Sequence, residues 1–175
     1  GREEDRSTAV CQFCDTDFVG TDGTLGGKFV TPEQLAEQIA ALWPEHKQQR
    51  YVVLTGGEPL LQVDAALIQA LHHQDFEIAL ETNGTLAVPE GVDWICVSPQ
   101  AGADWVQKTG NELKLVYPQP TLMPDALTTT NFDHYLLQPM DGLFQKQNTR
   151  KAIDYCQQNP DWRLSVQTHK FLDIR

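Results

Sequence analysis

Cys11 and Cys14, in the stretch CQFCDTDF, are two thiols with two residues between them. Such a pair serves as part of a metal site or as a redox couple. A redox couple of the thioredoxin kind needs a strand just before it and a helix starting at it. Residues 15–30 are instead rich in Gly, Thr and Asp and read as a loop. A structural zinc site wants four ligands, and no second CxxC or paired-His motif follows. The adjacent His72 and His73 close a helix and project in different directions. An iron–sulfur cluster also prefers several thiolates. The residues alone therefore describe part of a metal site that this chain does not complete. Cys96 and Cys156 lie in apolar-patterned segments and read as free buried thiols. This cysteine usage is not a secreted disulfide framework, and a reducing cytoplasm is expected.

A second set of chemistry-bearing residues follows apolar runs. YVVL is followed by TGGEP, EIAL by ETNG, WICV by SPQ, HYLL by QPMD, and WRLSV by QTHK. Each ending has a plain structural reading. Gly56-Gly57 suits a tight turn, Asn83-Gly84 is a common turn pair, and Ser98-Pro99 and Gln138-Pro139 can simply end strands. Glu81 reads equally as a carboxylate facing water, and His169 as a satisfied rim histidine. Their shared place at the ends of strands is what points to a site.

The elements that must position these residues alternate in type. TPEQLAEQIAALW opens with Thr31 as N-cap and Pro32 at the first helical position, with Leu35, Ile39, Leu42 and Trp43 on one face. Strands are expected at 51–55, 77–81, 94–98, 112–117, 134–138 and 162–167. Helices are expected at about 63–73, with Leu67, Ile68 and Leu71 inward, and at 148–159, capped by Asn148. Residues 118–131 are rich in Pro and Thr and read as a loop. Alternating strands and helices imply an α/β fold with a parallel sheet wrapped by helices. The connections after 81 and 98 are too short or irregular for crossover helices, so a partial, shortened (β/α) barrel is expected. In such a barrel all the strand C-termini share one face, where active sites lie.

With 175 residues and 41% hydrophobic content, the chain suits one domain with a core. A net charge of −11 disfavours nucleic acid as a partner. No apolar run is long enough for a bilayer span, so no membrane role is expected.

CQFCDT followed by TGGEP resembles the radical S-adenosylmethionine superfamily. CDT, TGGEP, ETNGT, VSPQ, LQPMD and the terminal WRLSVQTHKFLDI make the chain similar to the 7-carboxy-7-deazaguanine synthase family within it, over nearly all of residues 11–175. The resemblance implies a 4Fe-4S cluster, S-adenosyl-L-methionine and Mg²⁺ as cofactors. It implies ring contraction of 6-carboxy-5,6,7,8-tetrahydropterin to 7-carboxy-7-deazaguanine with release of ammonia, a lyase step of queuosine and other 7-deazapurine biosynthesis. It implies a carboxylated pterin as substrate, an electron donor such as flavodoxin, and a homodimer. A glycyl-radical activating enzyme of the same superfamily and a non-catalytic zinc-binding module are the rival readings. The QTHK terminus and small size count against the first.

By position, the resemblance assigns Cys11 and Cys14 to the cluster and the Thr16 hydroxyl to Mg²⁺. Phe13, Asp15, Gly57, Ser98, Pro99, Gln100, Gln138, Pro139, Met140 and Asp141 would line the cofactor. Thr55 and the terminal carboxylate of Arg175 would contact substrate; Glu81 and His169 are expected to face the substrate as catalytic residues from their place at the strand ends. The superfamily's first cysteine usually falls four residues before the second, where this chain has Ser7. Some synthases carry an insertion there, and GREEDR resembles the end of one. The expectation is therefore a single radical S-adenosylmethionine domain over 1–175 that lacks its N-terminal strand and first cluster cysteine, both upstream of Gly1.

Overall fold

The computed structural model describes residues 25–44, 46, 48–127 and 129–172. Helix α1, Pro32–Ala41, begins where the Thr31 hydroxyl accepts from the Gln34 amide at 3.3 Å. The Gln34 side chain accepts in turn from the Val30 N–H at 3.0 Å, so two otherwise orphaned donors are satisfied. Helix α2, Ala65–His72, is capped by Asp64, whose carboxylate accepts from the Leu67 amide at 2.9 Å. Its inward residues are Leu67, Ile68 and Leu71, as the helical spacing predicts. In α1 the fully buried residue is Ala36, with Leu35, Ile39 and Trp43 packed around the core. Leu42 is exposed instead, because it sits at the C-cap, beyond the last full turn.

Among the described residues six strands form one sheet in the order β1 to β6, every neighbouring pair parallel. They are β1 Arg50–Leu54, β2 Phe76–Thr82, β3 Trp94–Val97, β4 Thr109–Tyr117, β5 Asn131–Pro139 and β6 Trp162–Leu164. Sequential order with helices on one face is the arrangement of a partial (β/α) barrel. Side chains alternate along each strand. One set, including Ile78, Leu80, Val97, Leu113, Leu115 and Leu137, packs under the helices and is fully buried. By register the other face carries Glu81, Cys96, Glu112 and His134 side by side. Burying each Leu of the first set stabilises the fold by about 1.5–3 kcal/mol.

No helix crosses from β2 to β3 or from β3 to β4, as the short connections predict. Trp105 packs over the second core cluster there, and its indole N–H donates to the Gln107 carbonyl at 2.5 Å. Gly84 lies beneath it with φ +77°; a Cβ would stand 2.7 Å from Val97 and 2.8 Å from the indole.

Three expectations shift. Strands β4 and β5 each start three residues earlier than expected. The third helix, α3, spans Gln145–Gln158 and has no side-chain cap, so Asn148 lies within it, buried. Residues 162–167 divide into the short β6 and an approach to α4, Thr168–Leu172. Pairing with β5 ends at Leu164; beyond it the Ser165 amide still donates to the Leu137 carbonyl. Among the described residues no helix is long and apolar enough to cross a membrane.

Candidate active site

Every strand of a parallel sheet ends at the same side, and here those ends are tied together by buried polar side chains. Among the described residues four polar or charged ones are buried: Glu58, Thr82, Gln119 and Asn148. Each holds a loop at the C-terminal end of the sheet.

After β1 the chain turns through Thr55, Gly56 and Gly57, all exposed. Gly56 has φ +120° with no atom within 4 Å of where a Cβ would be, so it leaves the backbone open to a ligand as well as permitting the turn. Glu58 follows and folds back under the turn. Its Oε1 accepts from the Leu60 amide at 3.1 Å and from the Thr82 hydroxyl at 2.7 Å. Its Oε2 accepts from the Asn83 amide at 2.8 Å. One carboxylate thus locks the end of β1 to the end of β2. The Thr82 hydroxyl accepts from the Gly84 amide at 3.1 Å and extends the lock into the next turn.

After β3, Ser98 is set by its amide donating to the Thr82 carbonyl at 2.8 Å. Gln119, 1% exposed, holds the rest of that loop. Its amide nitrogen donates to the Pro99 carbonyl at 3.2 Å and the Val116 carbonyl at 3.0 Å, and its oxygen accepts from the Ala101 amide at 2.9 Å. After β5, the Asn148 amide donates to the Met140 carbonyl at 2.9 Å, and the Met140 amide donates to the Tyr117 carbonyl at 2.8 Å. The Asp141 carboxylate pairs with the Lys170 ammonium of α4. Buried polar groups left unpaired are costly, and among the described residues no buried side-chain N or O lacks a partner.

The sheet face away from the helices carries charge. Lys114 of β4 reaches Glu81 of β2, Nζ to Oε1 2.8 Å. By register Glu81 is level with Cys96 of β3 and Glu112 of β4, so Lys114, two residues beyond Glu112, reaches Glu81 diagonally across β3. Burial pushes the Cys96 thiol up to about 12. Burial works against the Lys114 ammonium, but the charges around it, Cys96 and Glu81 first among them, hold it above the ordinary lysine value. Because the Cys96 thiol is neutral at ordinary pH, the carboxylates do this there. Further along, Trp94 stacks on His134 with ring centres 6.0 Å apart and planes 25° from parallel.

Of the residues singled out in the sequence, the structure gathers Thr55, Gly57, Glu81, Ser98, Pro99, Gln100, Gln138, Pro139, Met140 and Asp141 at the strand C-termini. Glu81 is half-buried there. His169 stands on α4, exposed, beside the Lys170 that grips Asp141. Cys11, Phe13, Cys14, Asp15, Thr16 and Arg175 lie outside the described residues. Among the described residues no group of three or more His, Cys, Asp or Glu is placed to hold a metal ion. The sequence reasoning missed Glu58, Gln119 and Lys114. Glu58 sits inside the quoted TGGEP, and a carboxylate next to a glycine turn was a signal available to find it.

The open glycine turn and the fixed loops around it form a polar, exposed cradle of backbone groups, which suits a polar cofactor carrying amino and carboxylate groups. Residues 8–112 match the Radical SAM superfamily. The whole chain is 61% identical to the 7-carboxy-7-deazaguanine synthase of Bradyrhizobium diazoefficiens, covering 83% of that protein. It is 58% identical over 99% of its length to the synthase of Bordetella pertussis, again covering 83% of the relative. The crystal structure of QueE from Escherichia coli superposes with a TM-score of 0.56 at 26% identity, over 78% of this chain and 63% of that one. The chain therefore belongs to the 7-carboxy-7-deazaguanine synthase family of the radical S-adenosylmethionine superfamily.

Proposed function

We propose that the protein converts 6-carboxy-5,6,7,8-tetrahydropterin to 7-carboxy-7-deazaguanine and ammonia, as a radical S-adenosylmethionine lyase of queuosine biosynthesis. The observation that carries this is that the strand-end motifs it shares with the synthases converge on one end of the sheet, on loops locked by Glu58, Gln119 and Asn148. The pterin loses ammonia and nothing else, so the overall reaction needs no net oxidant. When bound, the 4Fe-4S cluster and S-adenosylmethionine supply one-electron chemistry and hydrogen-atom abstraction. The protein's part is placement and exclusion of water. Exposed backbone at Gly56 and Gly57 and the Ser98–Gln100 and Gln138–Asp141 loops orient the cofactor, and Thr55 and Glu81 face the substrate.

Cys11 and Cys14 are proposed as cluster ligands, with Phe13 and Asp15 beside the cofactor. The Thr16 hydroxyl is proposed for Mg²⁺, whose charge offsets the repulsion between an acidic protein and a carboxylated pterin. His169 is proposed to face the substrate and Arg175 to contact it. The single-domain reading over 1–175, a flavodoxin-type electron donor, a homodimer and a cytoplasmic setting belong to the same proposal. The third cluster thiolate is proposed to come from upstream of Gly1, since Ser7 holds the usual position.

The test is anaerobic reconstitution of the full-length protein with iron and sulfide. A brown protein should form that bleaches on reduction, cleaves S-adenosylmethionine, and turns the pterin into a product with the mass of 7-carboxy-7-deazaguanine. Cys11→Ala should lose the cluster absorbance with an unchanged circular dichroism spectrum. A colourless protein holding stoichiometric zinc refutes the proposal, as does a cluster-bearing protein that leaves the pterin intact.

A further inference from the structure

Lys114 is the described group whose placement the fold leaves least explained. It lies on a central strand, with its side chain 16% exposed, and points to the face that the helices do not cover. Neighbouring strands are about 4.8 Å apart, so β2 and β4 are separated by roughly 10 Å. To meet Glu81, the lysine stem must pass over β3. The residue in its path is Cys96, whose short side chain leaves room for it. A longer side chain there would block the reach. The sequence thus combines a long cation, a small intervening residue and a carboxylate on one face of three neighbouring strands, with the cation offset by two residues along β4.

The pair is asymmetric. Lys114 is shut in, whereas the Glu81 side chain is 43% exposed at the strand end. Lys114 engages Oε1 at 2.8 Å, and no hydrogen bond among the described residues occupies Oε2. A free carboxylate on a strand end samples several rotamers; one anchored through a single oxygen by a buried ammonium does not. A reduced pterin presents several N–H donors around its rings, and an anchored acceptor can meet one of them without first being ordered.

We infer that Lys114 is a positioning residue, which fixes Glu81 so that its second oxygen receives an N–H of the bound pterin. This inference rests on the proposed function for its substrate.

The experiment measures binding without turnover. The carboxytetrahydropterin is titrated into reconstituted, S-adenosylmethionine-loaded protein with the cluster left oxidised. K114M should weaken pterin binding by about tenfold to a hundredfold, the scale of effect expected when a reacting geometry is loosened, with affinity for S-adenosylmethionine unchanged. K114R should restore part of the loss. In an E81Q background K114M should add little, because both act through one carboxylate. Wild-type pterin affinity in K114M overturns the inference, as does an equal loss in the presence and absence of Glu81. A parallel loss of S-adenosylmethionine affinity or of fold in both K114M and K114R marks a structural pair and overturns it too. Wild-type protein that does not bind the pterin overturns the proposed function, and this inference with it.

Discussion

Glu58 is where this fold is most exposed to a single atom's change. Three donors converge on its carboxylate: the Thr82 hydroxyl at 2.7 Å, the Asn83 amide at 2.8 Å and the Leu60 amide at 3.1 Å. Glu58→Gln keeps the shape but turns one acceptor into a donor. If the new amide nitrogen replaces Oε2, it faces the Asn83 N–H. If the side chain flips, it faces the Leu60 N–H, and the Thr82 hydroxyl must turn to accept. Either way one backbone N–H at this lock loses its partner, at about 1–3 kcal/mol. The surviving bonds also fall from charge-assisted to neutral, worth about 1 kcal/mol more. The expected destabilisation is about 2–4 kcal/mol, or roughly 5–15 °C in Tm for a domain of this size. Thr82→Val removes one of the three donors and also takes the acceptor from the Gly84 amide, so it should cost about 1–3 kcal/mol. Urea denaturation of both variants, followed by circular dichroism, reads the difference directly. Glu58→Gln within about 0.5 kcal/mol of wild type would refute the idea that this carboxylate locks the two strand ends.

Two more consequences follow from the described geometry. Asp93 accepts from the Ile78 amide at 2.8 Å and meets His72 at 3.1 Å; burial pushes its carboxyl up, but these partners win and hold it below the ordinary 3.8. A depressed carboxylate stabilises the fold above its unfolded pKa and loses that contribution as pH falls through the folded value. The stability gap between wild type and D93N should therefore shrink as pH falls from about 5 to below about 4, as urea midpoints across that range would show; a gap that widens in acid contradicts this. Cys96, with its thiol pushed up to about 12, should have roughly one thiolate in ten thousand at pH 8. Iodoacetamide followed by peptide mass analysis should find it unlabelled in the native protein and labelled in urea, and native labelling as fast as that of the half-buried Cys156 would count against its burial.

Much of the architecture was legible because it is written locally. Thr31 and Asp64 cap their own helices three residues on, and Leu67, Ile68 and Leu71 recur at helical spacing. The site's location was legible for a topological reason: in a parallel sheet every strand ends on the same side, so polar endings such as TGGEP and SPQ must meet. Asn148 shows where local reading stops. An Asn before an apolar run is a good cap signal, yet α3 starts earlier and the amide instead holds the Met140 carbonyl eight residues back. His169 was expected just past a strand, and the short β6 gave way to α4 once its pairing with β5 ran out.

The sequence by itself determined the order of elements, the α/β class and the family, through capping, periodicity and contiguous motifs. Only the tertiary structure decided which polar residues hold the site and which are left to act. Glu58 finds Thr82 24 residues away, and Lys114 finds Glu81 33 residues away across an intervening strand. A buried donor or acceptor must be satisfied wherever packing puts it, and that partner is fixed by strand register and side-chain reach, which no local stretch of sequence records.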